Sequence, residues 1–378
     1  MSKTICRPAA GLVALLFLAA DPVRGADAAA KFLGANSCAS CHGGGQTQNQ
    51  FLIWSLKDFH SHRPAATLTT ARSKQIADAL AIKDATADTR CTSCHAPLHE
   101  VPENLRGENF KVSEGVSCES CHGPAENWLR SHTRKDYTRA DRTASGMRDL
   151  QNLYVRANTC VACHQNVDSD ILRAGHPELI FELDGQTVAE PKHWIETTNW
   201  NGAQAWLVGQ AVALRELSWQ LTKQHPFMEL SQRMTETNLL EHIYALSWLL
   251  SKATGEQLSP TTMMEDFESY QRTADKLAQE KSAVIWSEQT TRECLTRLAN
   301  LTPSFSDSHI RQSLQARRAE RLVLALDRLV TALPEFKNNE PVQSSLNQLF
   351  KLAQSIPDFD PKQFAEALEK FSVAINPK

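Results

Sequence analysis

Apart from one N-terminal run, the 378-residue sequence has no segment apolar enough to cross a membrane. Neither sign of charge dominates: 40 Lys and Arg stand against 43 Asp and Glu, a net charge of −3. That balance gives no footing for nucleic-acid binding. Glycine almost vanishes from the second half, where residues 203–378 hold only Gly209 and Gly255, while residues 34–193 hold 10 of the 15. No sustained heptad or low-complexity tract appears, which excludes a long coiled coil. A framework of structural disulfides is also excluded. Of 10 cysteines, eight fall into one repeated motif, Cys6 lies just ahead of the N-terminal run, and only Cys294 is left over.

The motif is Cys-x-x-Cys-His, and it occurs four times: Cys38-Cys41-His42, Cys91-Cys94-His95, Cys118-Cys121-His122 and Cys160-Cys163-His164. Chance would supply roughly 0.01 copies in a chain of this composition. The two thiols of such a motif add across the vinyl groups of one haem, and the adjacent histidine becomes its proximal iron ligand. Paired cysteines also build four-cysteine zinc sites, but zinc does not require a histidine after every second cysteine. A thioredoxin-like redox pair would occur once. Four covalently bound haem c groups are therefore expected.

The N-terminus agrees. Lys3 and Arg7 precede the 12-residue apolar run Ala9–Ala20, and small residues follow at Gly25 and Ala26. Residues 1–25 read as a secretory signal, too short to span a bilayer as a mature helix. No cysteine follows at a lipoprotein position. The mature chain is expected in the periplasm with no transmembrane anchor.

Composition divides the remainder near residue 200. Residues 26–200 read as a loop-rich multihaem domain whose core is the porphyrins themselves, with one clear helix from about Thr69 to Ile82. Residues 201–378 read as an antiparallel α-helical bundle of five or six helices, so the fold class is mainly α. Its apolar stripes include Leu207, Ala211, Leu214, Leu217 and Leu221; Leu239, Ile243, Leu246 and Leu250; a long segment from Ser259-Pro260 through Phe267, Val284 and Leu298, either continuous or broken midway; Leu322 to Leu333; Val342 to Ile356; and Phe364 to Ile375. Cys294 reads as a buried small apolar residue.

Low-spin haems need sixth ligands. Methionine is too scarce, with only Met147 in the haem region, whereas four histidines outside the motifs lie beside Trp, Gly or Pro. They are His60 in WSLKDFH, His132 after Trp128, His176 in AGHP and His193 in PKHW. His62 and His99 are weaker candidates, and His242 reads as a satisfied core histidine. The basic run Arg130–Arg148 suits propionate pairing or an acidic partner.

These segments resemble one family. Glu114-Gly-Val-Ser-Cys118-Glu-Ser-Cys121-His122-Gly-Pro-Ala, followed by Trp128 and His132, is similar to the third-haem segment of the tetrahaem cytochrome c-554 family. Trp54 to His60 followed by Cys91-Thr-Ser-Cys94-His95 is similar to its first two. The resemblance covers about residues 35–200. It implies closely stacked haem pairs carrying electrons between periplasmic or membrane-associated redox partners. It also implies an open iron position at Cys91-Cys94-His95, though this chain departs by offering both His176 and His193 after the fourth motif. Electron transfer is the expected function. The alternative is an oxidoreductase acting on a small nitrogen or sulfur compound at a five-coordinate haem.

Overall fold

A computed structural model describes residues 29–45, 48–224, 230–258, 267–355 and 358–376. The expected signal segment, the expected helix start at Ser259-Pro260 and Ile356 lie outside the described residues. Within them the chain is mostly helical, and its only β pairing consists of two isolated bridges, Phe32 with Arg106 and Ser61 with Gly115.

The first half is loops and short helices. Its expected helix runs from Ala71 to Ala79, with the Thr70 side chain accepting from Ser73 N at the N-terminus. It stops short of Ile82 because Ala81 takes a left-handed φ of +53°. Each Cys-x-x-Cys-His motif closes a helix on its histidine: Asn36–His42, Thr89–His95, Cys118–His122 and Leu153–His164. Spacings of three and four place both cysteines and the histidine on one helical face. Asp88 and Asn152 cap two of these helices, and at a third the Ser120 hydroxyl accepts from Ser117 N at 3.1 Å. The first motif is held otherwise. Glu119 accepts from Leu33 N and Gly34 N at 2.9 and 2.7 Å, and Glu114 from Ala35 N at 3.1 Å. Two buried carboxylates of the third-motif segment thus seat the first.

The second half holds seven helices of a dozen residues or more among the described residues, one more than the upper expectation. The difference lies in the segment after Phe267, which forms Phe267–Ala283 and Glu288–Ala299 with a break between them. Val284 sits in that break and is half exposed, so it is not a core residue. The other stripes are buried as expected. Leu346 and Leu349 of Glu340–Ala353 are buried with Phe364, Leu368 and Phe371 of Pro361–Ile375, and the two helices carry Pro341 and Pro361 in their first two positions after the Asn339 and Asp360 caps.

Gly202–Gln224 is the central helix, buried nearly all round by Leu230–Thr254, Phe267–Ala283 and Gln312–Thr331. It also takes Leu153–His164 and Leu183–Ala189 from the first half. At Gly209 a Cβ would stand 2.7 Å from Leu183 Cβ, so only glycine lets these two helices approach this closely. One apolar core therefore runs from Leu153, Ala157, Phe181 and Leu183 through the whole bundle. Cys294 lies within it, fully buried.

Candidate haem-binding site

A cavity of 1930 Å³ opens in the first half. A pocket for one small ligand measures about 300–1,000 Å³, so this space suits several groups or one very large one. Its walls include His42, His95, His122 and His164, every motif cysteine except Cys41, and all four of His60, His132, His176 and His193. Sequence reasoning chose those eight histidines, and the fold brings them to one space.

They meet in pairs. The rings of His42 and His132 lie 6.2 Å apart between centroids, those of His95 and His176 6.4 Å, and those of His60 and His164 5.9 Å. Metal–imidazole bonds are about 2 Å and a ring nitrogen sits about 1 Å from its centroid, so two imidazoles on one metal have centroids about 6 Å apart. The remaining two, His122 and His193, are also neighbours. Burial, and next the proximity of His193, pushes His122 down to about 4. Burial likewise lowers His193 below its ordinary value.

Six of the eight rings carry a partner on Nδ1, whereas His122 Nδ1 and His193 Nδ1 are buried without one. His42 Nδ1 pairs with Gln50 Oε1 at 2.9 Å, and His95 Nδ1 with Thr67 Oγ1 at 2.9 Å. His132 Nδ1–H donates to the Trp128 carbonyl at 3.1 Å, and His176 Nδ1–H to that of Pro177 at 2.8 Å. His164 Nδ1 meets the Gln186 amide at 3.3 Å. The Gln50, Thr67, Trp128 and Pro177 oxygens can each accept from Nδ1–H, which leaves Nε2 free as a ligand, whereas the Gln186 amide nitrogen is a donor and sets no such tautomer at His164. His60 differs. Its Nδ1 faces two carboxylates, Asp58 at 3.1 Å and Glu190 at 2.9 Å, which together raise it to about 10 against the opposing effect of burial.

The sulfurs also adjoin. The Cys38 sulfur lies beside that of Cys118, and the Cys94 sulfur beside that of Cys163, so the first motif abuts the third and the second abuts the fourth. None of the nine cysteines among the described residues is in a disulfide. Arg139, Arg142 and Arg148 of the basic run line the cavity, and Trp128 Nε1 and Arg142 Nε are buried there without a partner. Buried donors aimed into a cavity suit the carboxylates of a porphyrin. Thiol pairs, imidazole pairs and unmatched donors all fit haem.

The weaker candidates fall away. His62 is exposed and bonds to the Ser113 carbonyl, and His99 pairs with neighbouring Glu100. His242 is buried in the bundle with partners, as expected of a core histidine. Glu190 was not singled out from sequence. It lies 130 residues beyond His60, and nothing local marks it as that ring's partner.

A helical chain that gathers four Cys-x-x-Cys-His motifs around one cavity is a multihaem c-type cytochrome. The comparisons specify which kind. The family model described as cytochrome c554 and c-prime matches residues 37–123. Cytochrome c-554 of Nitrosomonas europaea is 30% identical over 170 residues, 42% of this chain and 68% of that protein. The chain belongs to the cytochrome c-554 family: it is an electron carrier with covalently bound haem c. No solved structure matches it. No helix among the described residues is long and apolar enough to cross a membrane.

Proposed function

We propose that this protein is a periplasmic tetrahaem cytochrome in which every iron has two histidine ligands. Cys38, Cys41, Cys91, Cys94, Cys118, Cys121, Cys160 and Cys163 carry the four haems. The proximal and distal ligands pair as His42 with His132, His95 with His176, His122 with His193, and His164 with His60. Three ring separations of 5.9–6.4 Å carry this reading.

Haem supplies one-electron chemistry, and the chain sets its terms. The adjoining sulfurs of motifs one and three, and of two and four, favour transfer within pairs. The Nδ1 partners fix ring orientation and ligand basicity. Arg139, Arg142 and Arg148 neutralise propionates. Electrons would pass between periplasmic or membrane-associated redox proteins. Residues 1–25 would be the export signal, 26–200 the haem domain and 201–378 the bundle, docked through the core they share.

The enzyme reading needs an open iron at the second motif. The His176 ring stands 6.4 Å from that of His95, which favours a closed one. EPR of the oxidised holo-protein before and after nitric oxide, with haem counted in parallel, tests the proposal. Four low-spin haems inert to nitric oxide are expected. A high-spin signal from one haem in four, abolished by nitric oxide, would overturn the closed assignment.

A further inference from the structure

The bundle grips one short segment of the haem-binding half, and that segment carries His176. Residues 174–182 link the Ser169–Arg173 helix to Leu183–Ala189. His176 is flanked by exposed Gly175, whose φ is +107°, and by exposed Pro177. Local packing does little to hold the ring. On the near side Arg72 donates to the Gly175 carbonyl at 2.7 Å.

The other hold comes from the bundle. The acceptor of the His176 Nδ1–H is the Pro177 carbonyl, at 2.8 Å. That carbonyl belongs to the peptide joining Pro177 to Glu178, a planar unit that moves as one piece. Glu178 is fixed by three side chains: His242 Nε2–H donates at 2.9 Å, Asn238 at 2.8 Å, and the Arg317 guanidinium stands at 3.4 Å. Behind them Arg321, 1% exposed, donates to His242 Nδ1 at 3.3 Å, which leaves the neutral ring donating through Nε2. Further along, Gln210 of the central helix donates to the Phe181 carbonyl at 2.8 Å. Burying an arginine and a histidine to fix one partly exposed carboxylate is costly. A surface loop with no task does not need it.

We infer that Glu178, braced by His242 and Asn238, is a positioning residue for His176, and that the bundle thereby keeps the haem at Cys91-Cys94-His95 closed to small ligands. The inference rests on the reading of His176 as the sixth ligand of that haem. It gives the helical half a task in the site.

The test uses full-length holo-protein and three variants: His176→Ala, Glu178→Ala and Asn238→Ala. The readouts are the high-spin EPR signal of the oxidised state, the rate of carbon monoxide binding to the reduced state, and haem content. His176→Ala should bind one carbon monoxide per four haems. Glu178→Ala should bind it at the same haem about 10–100-fold faster than the parent, the usual scale for a lost outer-shell partner. Asn238→Ala should move in the same direction by less. The low-spin signals of the other three haems and the haem content should not change. If His176→Ala opens a haem while the other two variants keep the parental rate, the positioning role is wrong and the ligand assignment survives. If His176→Ala leaves four low-spin haems, the assignment itself fails. Should Glu178→Ala lose haem or fold, Asn238→Ala decides, because it leaves the segment itself intact; an unchanged rate there overturns the inference.

Discussion

Of the eight cavity histidines, only His60 turns its outer nitrogen toward carboxylates, and this should make the haem of the fourth motif the easiest to keep oxidised. Glu190→Gln isolates the effect, because the amide oxygen can still accept from Nδ1 and only the charge is lost. Imidazole nitrogens bind transition metals at about 2 Å and lie about 2 Å from one another, so a carboxylate 2.9 Å from Nδ1 stands about 7 Å from a metal on Nε2. One unit charge at about 7 Å and an effective dielectric of about 20 is worth about 2.4 kcal/mol. A tenfold one-electron shift is about 59 mV, so this is about 100 mV. The Glu190 side chain is 25% exposed and therefore partly screened, which brings its share to about 50 mV. Asp58, 4% exposed, should approach the full value in Asp58→Asn. Ferric iron carries one more positive charge than ferrous, so losing a nearby anion destabilises the oxidised form and raises the potential. The assay is a redox titration followed by EPR, in which each low-spin haem is read separately. One haem moving upward while three stay put is the expected result. An equal shift of all four, or a downward one, would refute the electrostatic argument.

Replacing His193 by alanine should give a high-spin signal from the haem of the third motif alone, visible in the same EPR experiment. Arg156 makes two hydrogen bonds to Glu196, at 3.0 and 3.1 Å, and ties the His193 segment to the fourth-motif helix. Glu196→Gln should cost about 1.5–3 kcal/mol in denaturant unfolding, the range for hydrogen bonds to a charged group. Hydrogen bonds from Arg156 and Trp194 hold the Glu196 carboxyl below its ordinary value although burial opposes them. Its contribution is therefore full above the ordinary carboxylate range near about 4.3 and lost as pH falls below it, so the variant should flatten the acid limb of a stability–pH curve. In the bundle, Phe371→Ala should cost about 3–5 kcal/mol and Gly209→Val should destabilise by about 1–3 kcal/mol through collision with Leu183, both measurable by thermal unfolding.

Much of the site was legible because haem attachment is written locally. Two thiols and a histidine must share one helical face, and that requirement fixes five consecutive residues. Distal ligands are less visible: WSLKDFH and AGHP name candidates, but nothing near His60 says that it meets His164 rather than His42. Pairing depends on how loops of 20–50 residues close, which local pattern does not encode. The carboxylates were hidden for the same reason. Glu119 and Glu114 sit in the third-motif segment and seat the backbone of residues 33–35, and Glu190 serves a ring 130 residues away. In the bundle the stripes gave the helices, since period 3.6 survives any tertiary arrangement. They placed Val284 wrongly because a break between helices leaves a residue in register with a stripe it does not join.

The two halves also differ in what holds them together. Outside the continuous core, the main apolar cluster among the described residues has four buried members, Leu68, Ala77, Ile82 and Ala85. The other buried apolar residues before Leu153 are scattered, among them Trp54, Leu98, Val101 and Trp128. That is little apolar area to set against the ordering of so long a segment. The porphyrin faces must supply the apolar area, so cofactor attachment and folding of this half are one process, as in metal-dependent domains. The bundle has no such need, since Trp206, Phe305, Phe364 and Phe371 are fully buried by protein alone. Chain made without haem attachment should therefore keep a helical, protease-resistant core beginning near Leu153, while the residues before it are digested. Limited proteolysis with mass analysis, alongside far-UV circular dichroism, reads this directly. Protection of the first three motifs in haem-free chain would mean that side chains, not porphyrins, build the first half.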